Sequence, residues 1–313
     1  MAIVEVVVIV LFGVFVRLTN PASLAISFST IFPLYQDMNV MMLIGFGLLM
    51  AFSKTFSWSA VTYTFFINSV IIQLYILLNG FWQRAVVDGF NSSNYYIYIN
   101  EKTFAFALHA SASMFICMGA FIGRVGPLEL LIIAIVHVFL YTVNEIICIS
   151  KIGAFDVGGG MTVHIFGAYA GVVSSFILNA SSRPTGKPKS NYFSNLFALI
   201  GTLFLWMFFP SFNFGFGYVY TASAQYTQTQ IVTNTIISLT GSCLATFITS
   251  AYLKEKFTMS HILNATISGG VVMGSVGGII VHPGAAIAIG FLIGIVSTAS
   301  LHFLAPYLEK KFG

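Results

Sequence analysis

The sequence predicts an all-α bundle of about ten membrane-spanning helices. Two observations lead there. Only 7% of the 313 residues are charged, 58% are hydrophobic, and mean hydropathy is +0.92. Soluble domains carry roughly 25% charged residues, so this chain cannot dress a water-facing surface, and hydrocarbon is the solvent it suits. The apolar residues also gather into runs of about 20, the length that crosses a bilayer at 1.5 Å rise per residue.

The runs are 2–17, 37–53, 57–81, 103–123, 127–149, 157–178, 192–213, 229–253, 259–281 and 284–304. The first has Glu5 as its only charge before Arg17. Without a basic start or a small-residue cleavage site it reads as a retained helix, not a signal peptide. Asp37 opens the second run, and Lys54 closes it. Later breaks carry turn and charge signals: Arg124 to Pro127, the segment from Ser182 to Lys189, Lys254-Glu255-Lys256, and His282-Pro283. The whole chain, 1–313, reads as one membrane domain.

Orientation follows from the basic residues. With the N-terminus in the cytoplasm, nine of the 13 Lys and Arg fall inside (Lys54, Arg124, Arg183, Lys187, Lys189, Lys254, Lys256, Lys310, Lys311) and four outside (Arg17, Arg84, Lys102, Lys151). Both termini are then cytoplasmic, and the acceptor triplet Asn91-Ser92-Ser93 faces outward. The net charge of +4 sits at segment ends and forms no nucleic-acid patch. The three cysteines, Cys117, Cys148 and Cys243, have neither metal-ligand spacing nor an even count. The sequence shows no nucleophile–base pair, nucleotide loop or metal cluster, so it implies neither an enzyme nor a cofactor.

Small residues predict where helices touch. Gly167 and Gly171, like Gly290 and Gly294, have the spacing that brings helix backbones together in lipid, and Gly269, Gly270, Gly274, Gly277 and Gly278 crowd one run. Ionisable residues inside the runs are candidate functional groups, because each is expensive to bury there. They are His109, His137, Glu145, Asp156 and His164, with Asp37 at a helix opening. Asp156 has two readings, a helix N-terminal cap or an attractor for cations at an outer vestibule. Eight residues separate it from His164, about 12 Å along a helix, so the two are not a hydrogen-bonded pair. His164 is either tied to a neighbouring helix or a neutral imidazole able to exchange a proton with a small amine.

The stretch Asp156-Val157-Gly158-Gly159-Gly160-Met161-Thr162-Val163-His164-Ile165-Phe166-Gly167-Ala168-Tyr169 resembles the Rhesus branch of the ammonium transporter family. Four more stretches agree in order: Leu11 to Arg17, Gln36-Asp37, Gly201 to Met207 leading to Pro210-Ser211-Phe212-Asn213, and His261 to Thr266. The resemblance implies a homotrimer or Rh heterotrimer in the plasma membrane. It further implies an inverted repeat of five helices plus five, preceded by one extra N-terminal helix. Ammonium would enter an outer vestibule, pass stacked phenylalanines, lose a proton and cross as ammonia beside histidine. Asp156 matches the aspartate near the outer mouth, Phe212 the second gate phenylalanine and His164 the first pore histidine. A dry pore would exclude potassium, which has no proton to lose.

Two departures matter. The family pattern continues with two more helices, the first carrying a second pore histidine, so truncation of the repeat is expected. A non-transporting subunit of a hetero-oligomer and a channel for neutral carbon dioxide stay open as alternatives. The second departure is His109, which falls where the family has its first gate phenylalanine. A neutral imidazole can stack on an ammonium ion, whereas a protonated one repels it. Transport by a full-length version is therefore expected to fall as external pH drops below about 6, near the reference imidazole pKa. Uptake assays of wild type against His109→Phe across that range check this, and identical pH profiles would end the idea.

Overall fold

The computed structural model describes residues 1–18, 28–87, 89, 96–178, 190–220, 225–280 and 282–312. The Asn91 triplet and the Ser182–Lys189 segment lie outside the described residues. The chain is helical almost throughout, and it divides into two units. The first comprises Met1–Leu43, Thr55–Ala154 and Met161–Pro188; the second comprises Ile44–Lys54, Phe155–Gly160 and Lys189–Gly313.

The first unit holds α1 (Ala2–Phe15), α2 (Phe28–Val40), α4 (Ser57–Trp82), α5 (Glu101–Gly119), α6 (Pro127–Glu145) and α7 (Phe166–Leu178). The second holds α3 (Gly47–Leu49), α8 (Tyr192–Tyr220), α9 (Gln225–Lys254), α10 (Met259–Ala265), α11 (Ser268–Val276), α12 (Pro283–Ala299) and α13 (Ala305–Phe312). Wider π-type turns extend several of these, including Met41–Phe46, Ile146–Lys151 and Gly160–Ile165. Seven helices among the described residues are long and apolar enough to cross a membrane. They correspond to seven of the ten apolar runs.

The other three runs differ for physical reasons. The first stops being helical at Phe15, because Val16–Leu18 (β1) pairs in parallel with Ile97–Ile99 (β2). Arg17 then lies over the Tyr96 ring, 4.4 Å from its centroid. The 103–123 run becomes α5, whose Asn100 side chain accepts the Thr103 N–H at 3.1 Å in a capping box. Its His109, Ser111 and Ser113 dilute its hydropathy, and all three are buried. The 259–281 run breaks between α10 and α11. One expectation also shifts: Asp37 does not open a helix, since α2 begins nine residues earlier at Phe28. The boundary signals at Pro127 and Pro283 do start helices, each proline sitting where its missing N–H costs nothing.

In the first unit, α4 buries one face through Ala60, Thr64, Ile67, Ile71 and Tyr75, at spacings of three and four. Helix α5 is buried on nearly every side and forms the centre. The Gly167/Gly171 pair works as its spacing suggests: a Cβ on Gly167 would stand 2.6 Å from the Ser113 carbonyl oxygen, and one on Gly171 3.0 Å from that of Cys117.

Helix α9 is the spine of the second unit. Ser238, Ser242, Thr246 and Ser250 recur every fourth residue and are fully buried. Gly290 and Gly294 of α12 lie on this stripe, where a Cβ would collide with the Ser238 carbonyl oxygen and stand 2.7 Å from that of Ser242. Carbonyls at the α10–α11 break, within α11 and at its end are served by α9. Ser242 Oγ donates to the Thr266 carbonyl at 2.8 Å, Ser238 Oγ to Gly269 at 3.0 Å, and Asn234 Nδ2 to Gly277 at 2.8 Å. Non-helical backbone at membrane depth requires such partners. The outer surface is apolar, with Ile3, Trp58, Phe176 and Tyr252 all more than 80% exposed, as lipid contact demands. Gly290→Val should therefore lower stability by on the order of 1–3 kcal/mol through overpacking against α9; thermal melting of the detergent-purified protein reads this, and an unchanged melting temperature contradicts the packing.

Candidate functional site

Asp156 lies in a turn that precedes the Gly160–Ile165 helical segment, and its side chain is fully buried. Its seat is α11. Ser275 Oγ donates to Asp156 Oδ1 at 3.0 Å, and the Gly158 N–H donates to the Gly274 carbonyl at 2.7 Å. Three glycines make room for this contact. A Cβ on Gly160 would collide with Ser275 Oγ, one on Gly274 would press to 3.0 Å from the Gly158 carbonyl oxygen, and Gly159 takes a positive φ of 69°.

Phe212 sits in α8, two residues after Pro210, and is fully buried with an edge-on contact to Phe209 at 6.0 Å between centroids. Proline lacks an N–H, which relieves the carbonyl four residues earlier of its helical bond. The next residue, Asn213, is pinned: Nδ2 donates to Thr235 Oγ1 at 3.0 Å and to the Gly270 carbonyl at 2.9 Å. Its Oδ1 is buried against Gly158, where no Cβ could fit. The second unit thus brings the Asp156 turn against the residue beside Phe212.

The two histidines belong to the first unit. His109 is fully buried on α5, with Nδ1 3.2 Å from the Ala105 carbonyl oxygen and the Phe106 ring edge-on at 6.5 Å. His164 is not in the middle of a regular helix as its run suggested. It stands in the π-type turns of Gly160–Ile165 that lead into α7, and its Nε2 is sealed from solvent. Helices α5 and α7 run side by side in parallel, with Ser113 opposite Gly167 and Cys117 opposite Gly171.

Other buried ionisable groups have structural partners. Glu145 Oε2 accepts from the Tyr75 hydroxyl at 2.9 Å and from Asn79 Nδ2 at 3.1 Å. His137 Nε2 lies 3.0 Å from Ser113 Oγ, with Phe166 edge-on at 5.3 Å. His261 is buried in α10, its Nδ1 3.0 Å from Ser250 Oγ. Among the described residues no group of three or more His, Cys, Asp or Glu could hold a metal ion. Sequence reasoning missed Ser275 and the anchoring role of Asn213. The available signal was a hydroxyl in an otherwise glycine-rich apolar helix, next to a glycine that meets the aspartate turn.

Comparison with known proteins gives concordant matches. Residues 1–312 fit the model of the Ammonium Transporter Family. Ammonium transporter Rh type B of Mus musculus is 37% identical over 96% of this chain and 67% of its own length. Ammonium transporter Rh type C of Pongo abelii is 36% identical over 99% of this chain and 65% of its own. The chain therefore spans about two thirds of the length of these relatives. Among solved structures, Rh50 of Nitrosomonas europaea, a protein of the Rhesus channel family, superposes with a TM-score of 0.79 at 30% identity, covering 90% of this chain and 72% of that one. A sensor Amt protein shares the fold alone, at 17% identity and a TM-score of 0.73 over 89% of this chain and 75% of that one. Removing the Asn213 amide should cost on the order of 2 kcal/mol, because two hydrogen bonds disappear and the buried Gly270 carbonyl loses a donor. Thermal melting of Asn213→Ala checks this; a melting temperature equal to wild type contradicts it.

Proposed function

This chain belongs to the ammonium transporter family, in its Rhesus branch, and from that premise we propose how its buried groups carry ammonium across the membrane. The protein is a multi-pass transporter of ammonia or ammonium and not an enzyme. Asp156 supplies the negative charge that draws the cation from the outer side. Phe212 and His109 offer ring faces to a partly dehydrated ammonium ion. His164, as a neutral imidazole, accepts the proton, and uncharged ammonia continues through the apolar interior. The ion itself does not follow, since an unpaired charge in such surroundings costs many kcal/mol while a small neutral amine costs little.

The observation that carries this reading is the carboxylate of Asp156. In a chain with 7% charged residues, a wholly buried aspartate held by a hydroxyl and framed by three glycines is a built feature. The assembly that fits best is a homotrimer or an Rh heterotrimer in the plasma membrane, with both termini cytoplasmic. The basic residues support that orientation.

Methylammonium uptake by cells without endogenous ammonium transport tests the assignment. Asp156→Asn and His164→Ala are each expected to cut uptake at least about tenfold at equal surface expression, the scale of one lost charge-assisted interaction. Uptake at the wild-type rate by both variants would remove the proposed chemistry.

A further inference from the structure

We infer that Ser275 is a positioning residue for Asp156, its hydroxyl orienting the buried carboxylate whose charge draws the arriving cation; this rests on the reading of Asp156 given above. The serines of α9 show the contrast. Ser238 and Ser242 donate to main-chain carbonyls, Gly269 within α11 and Thr266 at the break before it, where Ser242 repairs the interrupted helix. Ser275 repairs nothing of that kind: its hydroxyl reaches the Asp156 carboxylate, 119 residues away in sequence, at 3.0 Å. A hydrogen bond to an ionised acceptor is about twice as strong as a neutral one. It also has direction, which a charge alone lacks.

The surroundings are shaped around this one bond. A side chain on Gly160 would occupy the position of the Ser275 hydroxyl. The backbone of Gly274, the residue before Ser275, accepts the Gly158 N–H at 2.7 Å, so the turn and the serine share one anchor. A Cβ on Gly274 would meet the Gly158 carbonyl oxygen at 3.0 Å and the Gly160 nitrogen at 3.1 Å. The turn is thus set by backbone at two glycines, and Ser275 supplies the directed contact to the carboxylate. Without the hydroxyl the carboxylate keeps its burial but loses this directed contact. Recruitment of the cation then weakens before passage of ammonia does.

The test is methylammonium uptake as a function of concentration, in the full-length protein, with melting temperature recorded for each variant. Ser275→Ala is expected to raise the half-saturating concentration about tenfold, as loss of a hydrogen bond to a charged group does, with the maximal rate little changed and the melting temperature lowered only as far as loss of one buried hydrogen bond entails. Ser275→Thr, which restores the hydroxyl, recovers most of the affinity. Ser275→Cys, a weaker donor of similar size, falls between and serves if the alanine variant does not fold. An unchanged half-saturating concentration in Ser275→Ala overturns the inference, as does equal impairment of the alanine and threonine variants. Asp156→Asn separates the two levels. If it transports normally, the reading of Asp156 itself falls; if it is impaired while Ser275→Ala is normal, only the role of Ser275 falls.

Discussion

Hydrocarbon does not solvate a charge or an unpaired peptide group, and that single penalty shapes this molecule. Each unsatisfied polar group at membrane depth costs several kcal/mol. The second unit shows the consequence in its backbone. Where the helix breaks between Ala265 and Ser268, side chains from α8 and α9 reach across to the freed carbonyls. The first unit shows it in side chains: Glu145 is enclosed only together with Tyr75 and Asn79. Many polar residues that would be surface groups in a soluble protein are interior groups here, and large apolar and aromatic side chains such as Ile3, Trp58 and Phe176 are exposed.

The same penalty underlies the selectivity proposed for the transporter. An interior this poor in charge offers few places where an ion can rest. Asp156 is the place proposed for it, and its contacts with Ser275 and Gly274 hold the turn that carries the carboxylate. In the proposed mechanism His164 supplies the other requirement, a base for the proton that ammonium gives up. An ion that cannot shed a proton gains nothing from either group.

Much of this was legible in the sequence. Charge content and run length fixed the helical membrane class. The paired glycines at 167 and 171, and at 290 and 294, marked helix contacts that the structure contains. Five colinear stretches pointed to the family. Other features were out of reach because they depend on tertiary contacts. The parallel strand pair at Val16–Leu18 needs a partner 81 residues away, and β-propensity of three residues is no signal. The α10–α11 break is invisible to a hydropathy window, since both halves are apolar; only the Ser and Thr stripe of α9, at every fourth residue, hinted that a neighbour needed donors. The early start of α2 at Phe28 was hidden by Pro33, which usually argues against a helix interior. The Ser275–Asp156 contact follows from packing, which no local pattern encodes.

The claim on which the account rests is that charge is refused and only the neutral amine passes. Flux of rubidium, a potassium surrogate, into liposomes containing the purified full-length protein tests it most directly, with methylammonium uptake measured in the same vesicles. The account predicts methylammonium uptake that a large excess of potassium does not diminish, and rubidium flux no greater than in protein-free vesicles. Rubidium entering through the protein, or potassium competing with methylammonium, would contradict it.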